Sequence, residues 1–223
     1  MLYQAVKTIF DFLVAFVLLL LTVWVFIFCI VILWLTGEHQ VWYLQERIGL
    51  HNKPFKIFKF VTMLKDSPNM KGGTITCRND PRVLPFGRFL RITKLNELPQ
   101  ILNVLNGTMS LVGPRPLVKF GFDCYPDEIK DQIYLSKPGI TGIGSVIFRD
   151  EERYMSVVVD PHQFCRESLF PYKGALEIWY LHNKNFIVDC KILFLTVWVI
   201  FLPKSTLPYK FFKDLPPKPE WMD

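Results

Sequence analysis

The chain has 223 residues, which suits one domain with a sizeable core, or one domain plus a membrane element, and is too short for two full domains. Lysine and arginine number 26 against 20 acidic residues, a net charge of +6, and the absence of any nucleic-acid motif turns that balance toward anionic lipid and phosphorylated small molecules rather than nucleic acid. Cys29, Cys77, Cys124, Cys165 and Cys190 are odd in number and lack metal-type spacing, so they read as reduced structural residues; His39, His51, His162 and His182 are too scattered for a ligand set.

Phe12 to Leu35 holds no charge, glycine or proline, and Thr22 is its one polar residue. As a helix it is about 36 Å long, enough to cross a hydrocarbon core of about 30 Å. No small-residue cleavage site follows, so the stretch reads as a retained anchor over residues 1–36 rather than a signal peptide. Lys7 and Asp11 precede it one helical turn apart, placed to pair. The basic residues after the anchor put the following domain, residues 37–202, on the cytoplasmic side, against an anionic leaflet.

Gly37 is a natural helix stop. Val41 to Leu44 is β-prone, Gly49 to Pro54 reads as a turn, and Phe55 to Phe60 alternates apolar with charged, so a small sheet or hairpin is expected here. Ser67 to Asp80 has the composition of a surface loop. From Pro85 the pattern is helical, and a second helix is expected from an N-cap at Thr93 through Leu105, with Asn96 and Glu97 at an entrance suited to phosphate, since Pro99 is tolerated only in a first turn. Gly113-Pro114-Arg115-Pro116 is stiffened by two prolines around an arginine. Asp127 to Leu135 reads as a short amphipathic helix, Lys137 to Gly142 as a basic turn, and Asp150-Glu151-Glu152 as a solvated turn. Pro161 to Leu202 is mainly helical; its last apolar run, Ile192 to Leu202, is too short to span and should pack in the core or lie on the bilayer. Residues 203–223 form a Pro-rich tail, read as extended or disordered.

Seven segments stand in order along the chain: Gln45-Glu46-Arg47-Ile48-Gly49, Pro54 to Phe60, Asp80-Pro81-Arg82, Gly87-Arg88-Phe89-Leu90-Arg91, Glu97-Leu98-Pro99-Gln100, Gly113 to Pro116, and Lys137 to Gly142. Together they resemble the bacterial sugar transferases known as monotopic phosphoglycosyl transferases, from Lys7 to about Leu202. The resemblance implies a membrane-anchored, mainly α fold with a small β element: a re-entrant N-terminal helix, an α+β cytosolic catalytic domain and interfacial helices. It implies transfer of a phospho-sugar from a UDP-sugar to undecaprenyl phosphate, giving undecaprenyl-diphosphate sugar and UMP, the first step of polysaccharide or glycoconjugate synthesis. In such enzymes an Asp attacks the β-phosphate and the neighbouring Glu assists with Mg²⁺; by position these are Asn96 and Glu97, with Glu97 the metal ligand.

Attack on a diphosphate builds negative charge, so cations must surround it. The candidate set is Arg115, Arg88, Arg91, Arg82, Lys59 and Lys137, with Arg115 foremost because its flanking prolines restrict its backbone. The chain departs from the family pattern at Asn96, Val61, Asn106 and Thr108, and its anchor has Thr22-Val23 where a Ser-Pro break is common, so the helix either spans the membrane or is re-entrant by bending at Thr22. An amide is no nucleophile toward phosphorus. Three explanations stand: Glu97 attacks, the acceptor phosphate attacks directly, or the chain is a silent relative serving as a membrane scaffold or regulator. A homo-oligomer is compatible with the sequence, which fixes neither oligomeric state nor sugar.

Overall fold

The computed structural model describes residues 2–70, 80–203 and 205–222. Among the described residues it is mainly helical, with two small two-stranded sheets. Helix α1 runs unbroken over Leu2–Leu35, longer than the uncharged run, because its first turns carry their polar groups to partners. Lys7 Nζ meets Asp189 Oδ2 at 2.8 Å and Asp11 Oδ2 at 3.7 Å, the latter being the expected pair; Asp11 also accepts from Ser110 Oγ at 2.6 Å, and Tyr3 donates to Asp189 at 2.8 Å. At its other end Phe26, Cys29 and Leu33, on one helical stripe, bury against Phe60 and Leu90. Residues between Ala15 and Phe26 bury nothing fully, and Leu20, Leu21, Val23 and Trp24 are exposed. The helix is long and apolar enough to cross a membrane.

The expected hairpin forms, with β1 (Trp42–Ile48) antiparallel to β2 (Pro54–Phe60) in a register of Trp42 with Phe60 and Ile48 with Pro54. Of the loop expected at Ser67 to Asp80, residues 71–79 lie outside the described residues. Helix α2 (Pro85–Thr93) follows, with proline in its first turn. The expected N-cap at Thr93 is not made: Thr93 closes α2, its hydroxyl donating back to the Phe89 carbonyl at 2.9 Å, and Lys94 turns the chain in the left-handed region at φ 60°. A 3₁₀ turn, Leu95–Gln100, then leads into α3 (Ile101–Leu105), so the helix entrance holding Asn96 and Glu97 is a tighter turn than an α-helical one. Asn103, fully buried on α3, locks this unit to the hairpin by accepting from Phe58 N–H at 2.9 Å and donating to Lys56 O at 2.9 Å.

Strand β3 (Ser110–Val112) is followed by α4 (Lys119–Asp123), α5 (Asp127–Ile133) and β4 (Gly139–Thr141). The basic turn expected at Lys137 to Gly142 therefore contains a strand, parallel to β3 with Ser110 opposite Gly139 and Val112 opposite Thr141. Beyond α6 (Ile143–Ile147), α7 (Glu151–Met155) and α8 (Pro161–Phe164), a single π-helical stretch, Cys165–Leu169, runs into α9 (Phe170–Asn183). Helix α10 (Phe186–Phe201) turns Asp189, Ile192, Leu195 and Val199 inward and leaves Ile187, Phe194, Val197 and Ile200 exposed.

Two further expectations are corrected. Glu151 does not sit in a solvated turn: it opens α7 and bonds Lys173 Nζ at 2.6 Å. The segment after α10 is not extended or disordered. It contains α11 (Leu207–Phe211), buries Phe212, Leu215 and Met222, and sets Trp221 among Phe148, Tyr154, Phe164 and Tyr172. Pro208 sits in the first turn of α11, where proline is tolerated, and the prolines do not prevent burial of the aromatic residues between them.

Candidate active site

A cleft of about 1270 Å³ opens between the hairpin, α2, the 3₁₀ turn and the α6–α7 wall. Glu97 stands in it because Lys94 redirects the chain and the Glu97 N–H closes the turn onto the Lys94 carbonyl at 3.0 Å. Arg115 is presented opposite. Gly113 N–H donates to Thr141 O and Gly139 N–H to Pro114 O, both at 2.9 Å, while the buried Tyr134 hydroxyl donates to Arg115 O and accepts from Leu117 N–H. Side chains are excluded from this crossing: a Cβ on Gly139 would lie 2.1 Å from Gly113 N.

The Glu97 carboxylate receives Arg115 Nη2 at 2.6 Å and Nη1 at 3.3 Å, and Lys59 Nζ from β2 at 3.3 Å. Burial alone would raise the pKa of Glu97, but Arg115 and then Lys59 outweigh it and hold the carboxyl well below its ordinary range. Burial brings Lys59 down to about 7, against the pull of Glu97 and with Arg47 and Arg115 repelling it. Arg47, on β1, is lowered to about 10 by burial and by Arg115, and is fixed by bonds to Gln45 Oε1 and to Pro116 O at 3.0 Å. Positive charge thus exceeds negative around one carboxylate, as a diphosphate site requires. Asn96 is 8% exposed and its Oδ1 has no hydrogen-bond partner.

The structure brings Glu97, Asn96, Arg115, Lys59, Arg88 and Arg91 to this cleft. It does not bring Arg82 or Lys137. Arg82 is 2% exposed and turned onto Asp80, with Nη2 to Oδ2 at 2.6 Å, and onto Ser67 O at 2.9 Å, so it fixes the segment ahead of α2. Lys137 stands near Gly107 and does not line the cleft.

Several cleft residues went unread in the sequence. Arg47 lies inside one of the seven segments and could have been found there; Arg149, Lys173 and Glu177 stand in no recognisable spacing. The cleft also reaches apolar residues of the long helices, Leu18 of α1 and Leu193 and Ile200 of α10, and the exposed Ile92 of α2. It therefore joins a cationic end to an apolar one.

Among curated proteins, the chain is 36% identical over 191 residues to the uncharacterized sugar transferase EpsL of Bacillus subtilis, covering 86% of this chain and 85% of that protein. It is 34% identical over 172 residues to the undecaprenyl-phosphate galactose phosphotransferase of Salmonella typhimurium, covering 71% of this chain and 33% of that one. It is 37% identical over 174 residues to the UDP-glucose:undecaprenyl-phosphate glucose-1-phosphate transferase of Escherichia coli, covering 77% and 35%. The chain thus spans about a third of the length of the latter two. With its cation-caged glutamate and its long apolar helix, and with residues 2–203 matching the family model, the chain belongs to the bacterial sugar transferase family.

Proposed function

We propose that the protein transfers a phospho-sugar from a UDP-sugar to undecaprenyl phosphate, giving undecaprenyl-diphosphate sugar and UMP and initiating polysaccharide or glycoconjugate synthesis. The observation that carries this reading is the single cleft in which Glu97, caged by Arg115 and Lys59, is continuous with apolar residues of α1 and α10. A phosphate bound at the cations leaves room for a polyprenyl chain along the apolar end. The name of the Escherichia coli relative specifies the same two kinds of substrate, and that of the Salmonella relative specifies undecaprenyl phosphate and a galactose phosphotransfer.

Arg115, Lys59 and Arg47 bind and orient the diphosphate, and Glu97 keeps the first two gathered at one point. The Asn96 amide does not attack phosphorus, and both oxygens of Glu97 are engaged by Arg115 and Lys59, so in this reading the acceptor phosphate attacks. One of its oxygens bonds to the β-phosphorus of the donor, the bond from that phosphorus to the bridging oxygen breaks, and UMP leaves with the electron pair. Among the described residues no cluster of three metal-ligating side chains exists. Glu97 and the unpartnered Asn96 Oδ1 nevertheless fit Mg²⁺, which takes one or two protein oxygens and completes its shell with phosphate and water. When bound, the ion supplies charge neutralisation at the transferring phosphoryl group.

The reading places the domain on the cytoplasmic face of the bacterial inner membrane with α1 re-entrant. Supporting this, both ends of α1 are held by the same domain, Tyr3 and Lys7 by hydrogen bonds to Asp189 and Cys29 and Leu33 by packing in the cluster around Phe60. A helix crossing from one side to the other would part its ends. The exposed apolar face of α10 suits an interfacial position.

The test incubates the protein in detergent with undecaprenyl phosphate, Mg²⁺ and a panel of UDP-sugars. UMP should appear only when acceptor is present. Stoichiometric UMP without acceptor would mean a covalent route, and UDP-sugar binding with no UMP from any donor would leave the scaffold or regulator reading in its place.

A further inference from the structure

Resting on that reading, we infer that Glu177, with Ser145 beside it, forms the subsite that receives the hydroxyl groups of the donor's sugar and sets which sugar is accepted. Glu177 lies on α9, is 2% exposed, and lines the same cleft as Glu97. Its Oε2 has no hydrogen-bond partner in the protein, and neither has Ser145 Oγ on α6. A buried polar atom without a partner is costly and requires a reason.

The cations that could have neutralised Glu177 point elsewhere. Lys173, one turn earlier on the same helix, is spent on Glu151 at 2.6 Å. The Arg115 guanidinium goes to Glu97, and only the Arg115 backbone N–H turns toward Glu177. The wall opposite is stripped of side chains. A Cβ on Gly144 would meet Glu177 Oε1 at 2.5 Å, and one on Gly142 would lie 3.7 Å from Oε2.

The cleft thus has two chemically different polar regions. Around Glu97 cations outnumber the carboxylate and suit phosphate. At Glu177 an acid without a counter-ion repels phosphate but accepts from a hydroxyl whether or not it carries a proton. Burial raises this carboxyl to about 7, so near neutral pH it also donates. A nucleoside diphosphate sugar has the same division, a charged diphosphate joined to a neutral polyhydroxyl ring. The Arg115 backbone faces Glu177 while its side chain holds Glu97, which sets the two regions next to one another.

The test measures dissociation constants of UDP, UDP-glucose, UDP-galactose and UDP-N-acetylglucosamine for the full chain in detergent, in the natural protein and in Glu177→Ala, Glu177→Gln and Ser145→Ala. Loss of a hydrogen bond to a charged group predicts that Glu177→Ala weakens the best UDP-sugar about tenfold and leaves UDP within about twofold, with Glu177→Gln restoring part of the loss. Loss of UDP and UDP-sugar affinity alike, or of neither, overturns the assignment while leaving the transferase reading intact. Should Glu177→Ala not fold, Ser145→Ala decides on the same comparison, with an expected loss of a few-fold, about the worth of one neutral hydrogen bond. A natural protein that binds none of the four overturns the transferase reading itself and this inference with it.

Discussion

Arg115 grips Glu97 with both terminal nitrogens, at 2.6 Å to Oε1 and 3.3 Å to Oε2, across 18 residues of sequence. A planar fork fills that geometry and a point charge does not. Arg115→Lys should therefore lower kcat/KM for UMP release by about 10- to 100-fold, equivalent to about 1–3 kcal/mol, with little change in thermal midpoint. Wild-type kinetics would show that the fork has no part in catalysis.

Asn96 occupies a buried site beside Glu97, with its Oδ1 free of partners and Lys59, Arg115 and Lys94 all acting on its neighbour. Those cations would keep an added carboxylate ionised. Asn96→Asp should give a covalent phospho-sugar adduct by intact mass and a UMP burst without acceptor, neither of which is expected of the natural chain. If no adduct forms, more than the identity of residue 96 blocks that route.

Gly87 lets α2 lie directly on the chain beyond β2: a Cβ there would sit 2.2 Å from the Thr62 carbonyl oxygen. Gly87→Ala must push α2 outward and take Arg88 with it. The expected cost is about 1–3 kcal/mol, seen as a thermal midpoint several degrees lower, together with weaker UDP binding.

Trp221 stacks on Phe148 at 6.2 Å and meets Phe164 edge-on at 5.0 Å, closing an aromatic cluster behind the cleft wall that bears Arg149. Trp221→Ala should destabilise the protein by roughly 3 kcal/mol, with Trp221→Phe keeping much of the stability. Differential scanning fluorimetry in detergent reads both.

Glu177 gives a pH dependence of defined sign. Its folded-state value near 7 lies above the ordinary carboxyl value of 4.5, so the folded form binds the proton more tightly than the unfolded chain. Its stabilising contribution is complete below about pH 4.5 and is lost as pH rises through about 7. The natural protein should lose thermal stability between pH 5 and pH 8 relative to Glu177→Gln, by up to about 3 kcal/mol. Parallel curves for the two proteins would refute the shift.

Local chemistry was legible wherever it acts within a few residues. The uncharged run gave α1, alternation gave β2, Pro85 opened α2, and the Lys7–Asp11 spacing gave an ion pair that forms. The break at Lys94 was hidden, because a lysine carries no signal for a left-handed turn and the periodicity ran on through Thr93. The strand β4 was hidden too, since a three-residue parallel pair draws its hydrogen bonds from a partner far along the chain.

The sequence by itself determined the apolar helix, the family through its ordered segments, and the choice of Glu97 and Arg115 as central residues; each rests on residue type and near-neighbour spacing. Only the tertiary structure decided which charges converge. It turned Arg82 onto Asp80, kept Lys137 from the cleft, brought Arg47 to the cation cluster, folded the proline-rich segment onto the core through Trp221, and left Glu177 buried without a counter-ion. Burial and long-range pairing set those outcomes, and both depend on surfaces that come together only when distant segments pack.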